Sequence, residues 1–160
     1  VVPFNEFKRG AMGIYDQYNV DWLGAEYTTA IGQAQMASKW NEIVKDANVL
    51  PMLEYDAIGD ACSICKPLDG TRAPVGHPIW RTYAPLNHFN CFCILRQRAS
   101  GSENVPSESV LEDLDSKMNA VFKGNSGIDR VVFNQEHSYF TNVPREDKAF
   151  ARNNFDLPIP

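Results

Sequence analysis

The chain has 160 residues, 44% of them hydrophobic, with 15 basic and 20 acidic side chains and a formal net charge of −5. That size and composition describe one ordinary globular domain, or one domain with a small satellite, able to bury a core without staples. The acidic balance, with a pI near 5.1, gives the surface as a whole no electrostatic reason to bind DNA or an anionic membrane, and the longest apolar run is far short of a membrane span.

Residue 1 is Val, not Met, so the chain is expected to be a fragment or a processed product. Three segments are legible, 1–50, 51–99 and 100–160. The first is helical. "FNEFKRGAMGIYDQY" spaces Phe4, Phe7, Ala11, Ile14, Tyr15 and Tyr18 as one helix face. Asp21 is then placed to cap a long second helix, with Leu23, Tyr27, Ala30, Ala34, Ala37 and Val44 on its packed face and Gln33, Lys39 and Glu42 on its wet side. Pro51 ends the segment.

In the second segment, "MLEYDAI" alternates Leu53, Tyr55 and Ala57 against Glu54 and Asp56, the period of a strand. Asp69–Gly70 signals a reverse turn. "GHPIWRTYAPLNH" reads as a loop, punctuated by Pro78 and Pro85, with Trp80 packed on the sheet or the site. "CFCILRQ" is strand-like again. The third segment opens on the linker-like "SGSENVPSES". It continues as an amphipathic helix through Val110, Leu111, Leu114, Met118, Val121 and Phe122, which "GNSG" breaks. "RVVFN" is a short strand candidate, and the Pro-bearing tail "NNFDLPIP" reads as extended. The fold class is α+β, with N-terminal helices packed on a small antiparallel sheet that carries a zinc-knuckle-like Cys/His loop region.

All four cysteines lie in "DACSICKPLDG" and "NHFNCFC". Cys62-x-x-Cys65 is the spacing that lets two thiolates grip one metal from a tight turn, and His88-x-x-Cys91 supplies a second pair. Zinc takes four soft or borderline ligands in a tetrahedron, and Cys3His is a common structural set. The predicted metal ligands are therefore Cys62, Cys65, His88 and Cys91, with Cys93 as an alternative to Cys91. If Cys91–Cys93 is a strand, both thiols point to one face, so spacing leaves the choice open. The stretch between Lys66 and Asn87 looks poor in core residues apart from Trp80, so a structural zinc ion would replace the missing core. Two disulfides, a redox pair and inert buried thiols are the competing readings. A redox centre would have its motif opening a helix, but Pro67 and Asp69–Gly70 come at once after Cys65.

A catalytic metal is disfavoured. No histidine has a Glu two residues on, Cys62 follows Ala61 and not Pro, and no H-E-x-x-H helix exists. Asp56 and Asp60 flank the knuckle as strand-end charges, and His77 reads as a surface loop residue. Arg96 and Arg98 are too few for a nucleic-acid patch. No phosphate-binding glycine motif and no nucleophile elbow occurs.

The order "QMASKWNEIV", "LEYDAIGDACSICKPLDG", "HPIW", "APLNHFNCFCIL" resembles the C-terminal domain of tailed-phage minor head proteins, the Mu F-like head morphogenesis family. Cys62, Cys65, Leu68, Asp69, Gly70, Trp80, Pro85, His88, Asn90, Cys91 and Cys93 match its pattern. Ala84 stands where a proline is usual and Phe92 where an arginine is usual. The resemblance spans roughly Asp21 to Gln97. It implies a non-enzymatic virion component that assembles in the bacterial cytoplasm beside portal, scaffold or major capsid protein, with DNA contact left open. Reducing cytoplasm favours a zinc thiolate site over disulfides. The alternative is a phage-encoded effector enzyme, a nuclease or ADP-ribosyltransferase, with Glu136, His137 and Tyr139 as its best polar set.

Overall fold

The computed structural model describes residues 3–6, 9, 20–59, 62–141 and 144–155. Of the face expected for a first helix, Phe4 is described, and its ring meets Tyr27 at a centroid distance of 5.2 Å. Phe7, Ala11, Ile14, Tyr15 and Tyr18 lie outside the described residues.

The long helix α1 (Val20–Asp46) is rich in Ala and straight-chain residues, which favour helix. Lys45 complements the dipole in its last turn, and Pro51 lies just beyond its end. Its buried line is Leu23, Glu26, Thr29, Gln33, Met36, Trp40 and Ile43, at steps of three and four. That corrects the expected face. Gln33 is buried, where a wet position was expected, and Val44 is 53% exposed. Trp40 and Ile43 carry the large apolar volume, and the small alanines lie to the side. The helix already includes Val20, so Asp21 sits inside it and not at its cap.

Three strands come next: β1 (Met52–Asp56), β2 (Arg72–Pro74) and β3 (Ile94–Arg98), ordered β2-β1-β3 and antiparallel throughout. Pleat period puts Leu53, Tyr55, Ala73 and Leu95 into the core. The opposite face carries Glu54 between Arg72 and Arg98, at 2.8 and 3.1 Å, and Asp56 on Arg96. Arg96 and Arg98 are thus both engaged in cross-strand pairs.

Between β2 and β3 the chain forms a short helix α2 (Ile79–Tyr83), where a plain loop was expected. Ile79, Trp80, Tyr83 and Leu86 are all buried, as is Leu68. The premise that this stretch lacks core residues is therefore corrected. Trp80 packs on the sheet, its Nε1 donating to the Pro74 carbonyl at 2.9 Å.

The third segment joins the same core. Asn104 pairs with Arg72 at the β2 edge through two backbone bonds of 2.7 Å. Helix α3 (Glu108–Lys117) ends at Lys117, and Val121 and Phe122 belong to a separate 3-10 turn, not to one continuous helix. Leu114, Met118 and Phe122 sit in one cluster with Met36, Trp40, Leu53 and Leu95. Helix α4 (Ser126–Asp129) packs across α1. "RVVFN" makes no strand and runs as bends and irregular backbone. A further turn, α5 (Ser138–Thr141), precedes α6 (Arg145–Phe155). The tail expected to be extended is helical through Phe155, and the rest lies outside the described residues. No helix among the described residues is long and apolar enough to cross a membrane.

Candidate metal centre

The antiparallel register builds the site. Asp56 at the exit of β1 is paired with Ile94 at the entry of β3. The segment leaving β1 therefore lies beside the segment entering β3. The first carries Cys62–Cys65, and the second carries His88–Cys93. Two half-motifs far apart in sequence meet at one end of the sheet for this reason.

Each half is a tight turn. The Cys65 N–H approaches Cys62 Sγ at 3.5 Å, and the Lys66 N–H closes onto the Cys62 carbonyl at 2.9 Å. A 3-10 turn (Lys66–Leu68) continues the chain, with Pro67 near its start. Gly70, at φ 69°, makes the reversal into β2, while Asp69 Oδ1 accepts from the Ala57 N–H at 2.9 Å. In the second half the Cys91 N–H bonds the His88 carbonyl at 3.3 Å, around Asn90 at φ 57°. Cys91 and Cys93 are buried with Phe92 64% exposed between them. The pair keeps strand-like alternation, although the strand itself begins only at Ile94.

All four cysteines are free thiols. Their donor atoms form two triads, Cys62–Cys65–His88 and Cys65–Cys91–Cys93, each with every ligand atom within 4.8 Å of the others. Cys65 belongs to both. Its sulfur lies 3.7 Å from that of Cys91. Two thiolates bound tetrahedrally at a Zn–S distance of about 2.3 Å sit about 3.8 Å apart. The spacing thus suits a shared metal and is far too long for a disulfide. His88 Nδ1 meets the Phe89 carbonyl at 2.7 Å. A carbonyl only accepts, so Nδ1 carries the proton and Nε2 is the nitrogen left for a metal. A Cys/His cluster that can hold a metal ion is therefore present, and all five sequence-predicted candidates belong to it.

The electrostatics show how closely these groups crowd one another. A hydrogen bond to Cys91 raises the His88 imidazole to about 9 against the opposing effect of burial, helped by the Phe89 carbonyl. Cys91 is held far below the ordinary thiol range, first by bonds to Cys65 and Cys93. Burial would raise Cys62, yet the N–H groups of Cys65 and Ile64 and the nearby His88 charge bring it below its usual value. Cys65 is pushed up by Cys91, Cys93 and burial, as expected when several thiols crowd one low-dielectric point. A divalent cation removes that conflict by replacing the protons.

Two residues of this neighbourhood carry no motif signal. Tyr55 donates its hydroxyl to Cys65 Sγ at 3.4 Å, and Asn87 Nδ2 donates to Tyr55 Oη at 3.0 Å. Tyr55 was legible as an inward strand position, and a buried hydroxyl requires a partner. Nothing in the sequence marks Asn87. The other candidates lie elsewhere. Asp56 is on the outer sheet face with Arg96, and Asp60 is outside the described residues. His77 Nε2 is 3.7 Å from Glu103. His137 is buried, stacked on Phe133 at 4.4 Å and 3.6 Å from Glu26, whereas Glu136 is exposed. Those two therefore do not share one open surface, and the Tyr139 side chain lies outside the described residues.

No family model, curated protein or solved structure matches the chain.

Proposed function

We propose that zinc fills the Cys/His cluster as a structural ion, and that the chain is a minor head protein of a tailed phage or prophage. The meeting of C-x-x-C with H-x-x-C-x-C at one end of the sheet carries this reading. The donors are sulfur and imidazole, which suit zinc better than a hard cation. The donors form two triads that share Cys65, and with that many protein ligands at hand the role is a closed structural site, with no position reserved for a substrate. When bound, the metal would neutralise the crowded thiolates and tie the β1 exit to the β3 entry.

The head-protein part rests on the motif run from Asp21 to Gln97 and its order. Assembly in reducing bacterial cytoplasm keeps thiolates available to zinc. Portal, scaffold or major capsid protein are the expected partners, and the virion is the expected destination.

Elemental analysis of untagged protein purified without chelator tests the first part. One zinc per chain, abolished by Cys62→Ser, is expected. Protein without metal and with four titratable thiols would overturn it. For the second part, a prophage carrying Cys62→Ser is expected to release fewer filled heads, and mass spectrometry of purified wild-type particles is expected to find the chain at low copy. Its absence from particles would refute the assignment.

A further inference from the structure

Tyr55 is 1% exposed and Asn87 0%. Phenylalanine and leucine would fill the same space without burying polar atoms, so the hydroxyl and the amide need a reason to be there. Their hydrogen bonds form a chain with a fixed direction. The main-chain oxygen of Tyr83 can only accept, so the group of Asn87 facing it at 3.4 Å is Nδ2. The same Nδ2 donates to Tyr55 Oη at 3.0 Å. That leaves the single phenolic proton aimed at Cys65 Sγ, 3.4 Å away. The amide is held this way round although its Oδ1 has no hydrogen-bond partner. A buried carbonyl oxygen without a partner is unfavourable, so the orientation is set by what Nδ2 must do.

We propose that Asn87 and Tyr55 are positioning residues that hold the Cys65 sulfur by a directed hydrogen bond and thereby set how tightly the cluster grips its metal; this rests on the reading of the cluster as a metal site. An O–H donor is stronger towards a thiolate than towards a neutral thiol. Cys65 is the sulfur common to both donor triads, so a donor aimed at it acts on the centre whichever of Cys91 and Cys93 completes the set. Groups that hydrogen-bond metal ligands in this way typically change metal affinity by about 10–100-fold when removed.

The test is Tyr55→Phe, which keeps the ring and removes only the hydroxyl. Zn2+ affinity is read by chelator competition, and Co2+ is used as a spectroscopic substitute. A loss of about 10–100-fold is expected, together with a red shift of the sulfur-to-Co2+ charge-transfer band, because a sulfur without its donor gives up charge more easily. Asn87→Ala is expected to act in the same direction, and to add little in a Tyr55→Phe background, since the two act in series. The metal-free melting temperature of Tyr55→Phe should stay close to that of the metal-free wild type. Unchanged affinity and band would overturn the proposal. So would fully independent losses from the two substitutions, or a metal-free melting temperature that falls in step with affinity, which is the mark of a purely structural role. A wild-type protein that takes up neither Zn2+ nor Co2+ would remove the metal reading itself, and a metal-binding wild type with an indifferent Tyr55→Phe would remove only this inference.

Discussion

At Asn90 the backbone itself is committed to the centre. Its φ of 57° lies in the left-handed region, where Asn is tolerated and β-branched residues are not. That conformation turns the chain so that the Cys91 N–H reaches the His88 carbonyl at 3.3 Å, and the Asn90 N–H faces Thr29 Oγ1 at 3.5 Å on α1. Asn90→Val is therefore expected to cost about 1–3 kcal/mol, whereas Asn90→Gly stays within about 1 kcal/mol. Denaturant unfolding of the metal-loaded protein measures both, and a valine variant as stable as wild type would show that the turn does not need this φ. The ligands were legible because their spacing is local: two thiols three residues apart announce a turn, and so does His88 before Cys91. Asn87 was not legible, because its partner Tyr55 arrives from β1 through the tertiary fold.

For the elements, composition served better than the assignment of faces. The alternation in β1 placed Leu53 and Tyr55 inward, since that face is buried while Glu54 and Asp56 on the other are ion-paired. On α1 the expected packed face included Ala30, Ala34 and Ala37, but the close helix approach comes through a glycine on the other helix. An added Cβ at Gly127 of α4 would lie 2.2 Å from Trp40 Cβ, and neither atom can swing aside. Gly127→Ala is expected to destabilise by about 1–3 kcal/mol as an overpacked contact. Gly32 supplies the comparison. A Cβ there would meet Leu86 Cδ1 at 2.5 Å, the far end of a side chain that can rotate. The gain in helix propensity, up to about 1 kcal/mol, then works against the clash. Gly32→Ala should change stability much less than Gly127→Ala, read as urea midpoints, and the reverse order would mean that α4 does not seat on Trp40. "RVVFN" shows the limit of strand propensity. Val131 and Val132 favour a strand, but they pair with neither β2 nor β3, the two edges of the sheet, and a strand without a neighbour does not form.

Across the whole molecule, the weight carried by the metal depends on how much core surrounds it. The sequence suggested a region that only a metal could hold, because its apolar residues are scattered among prolines and glycines. Folding gathers them: Leu68, Ile79, Trp80, Tyr83 and Leu86 are all buried in the cluster that also contains Met36, Trp40, Leu53 and Leu114. At ~1.5–3 kcal/mol per buried large side chain, those five contribute ~8–15 kcal/mol before conformational entropy. Metal binding in zinc-finger peptides is of similar size, ~10–16 kcal/mol, but those peptides have almost no core of their own. The third segment adds further ties, with Phe122 edge-on to Phe89 at 4.8 Å beside the ligand turn and Tyr83 donating to Asp115 at 2.8 Å. Removing the metal should therefore lower stability without abolishing the fold. On chelation, far-UV circular dichroism is expected to keep its helical signal, the melting transition to stay cooperative but move down by several degrees, and the four thiols to become reactive. Loss of the helical signal on chelation would mean that the metal, and not the shared core, holds the two halves of the sheet together. It would return this region to the class of small domains that fold only around their ion.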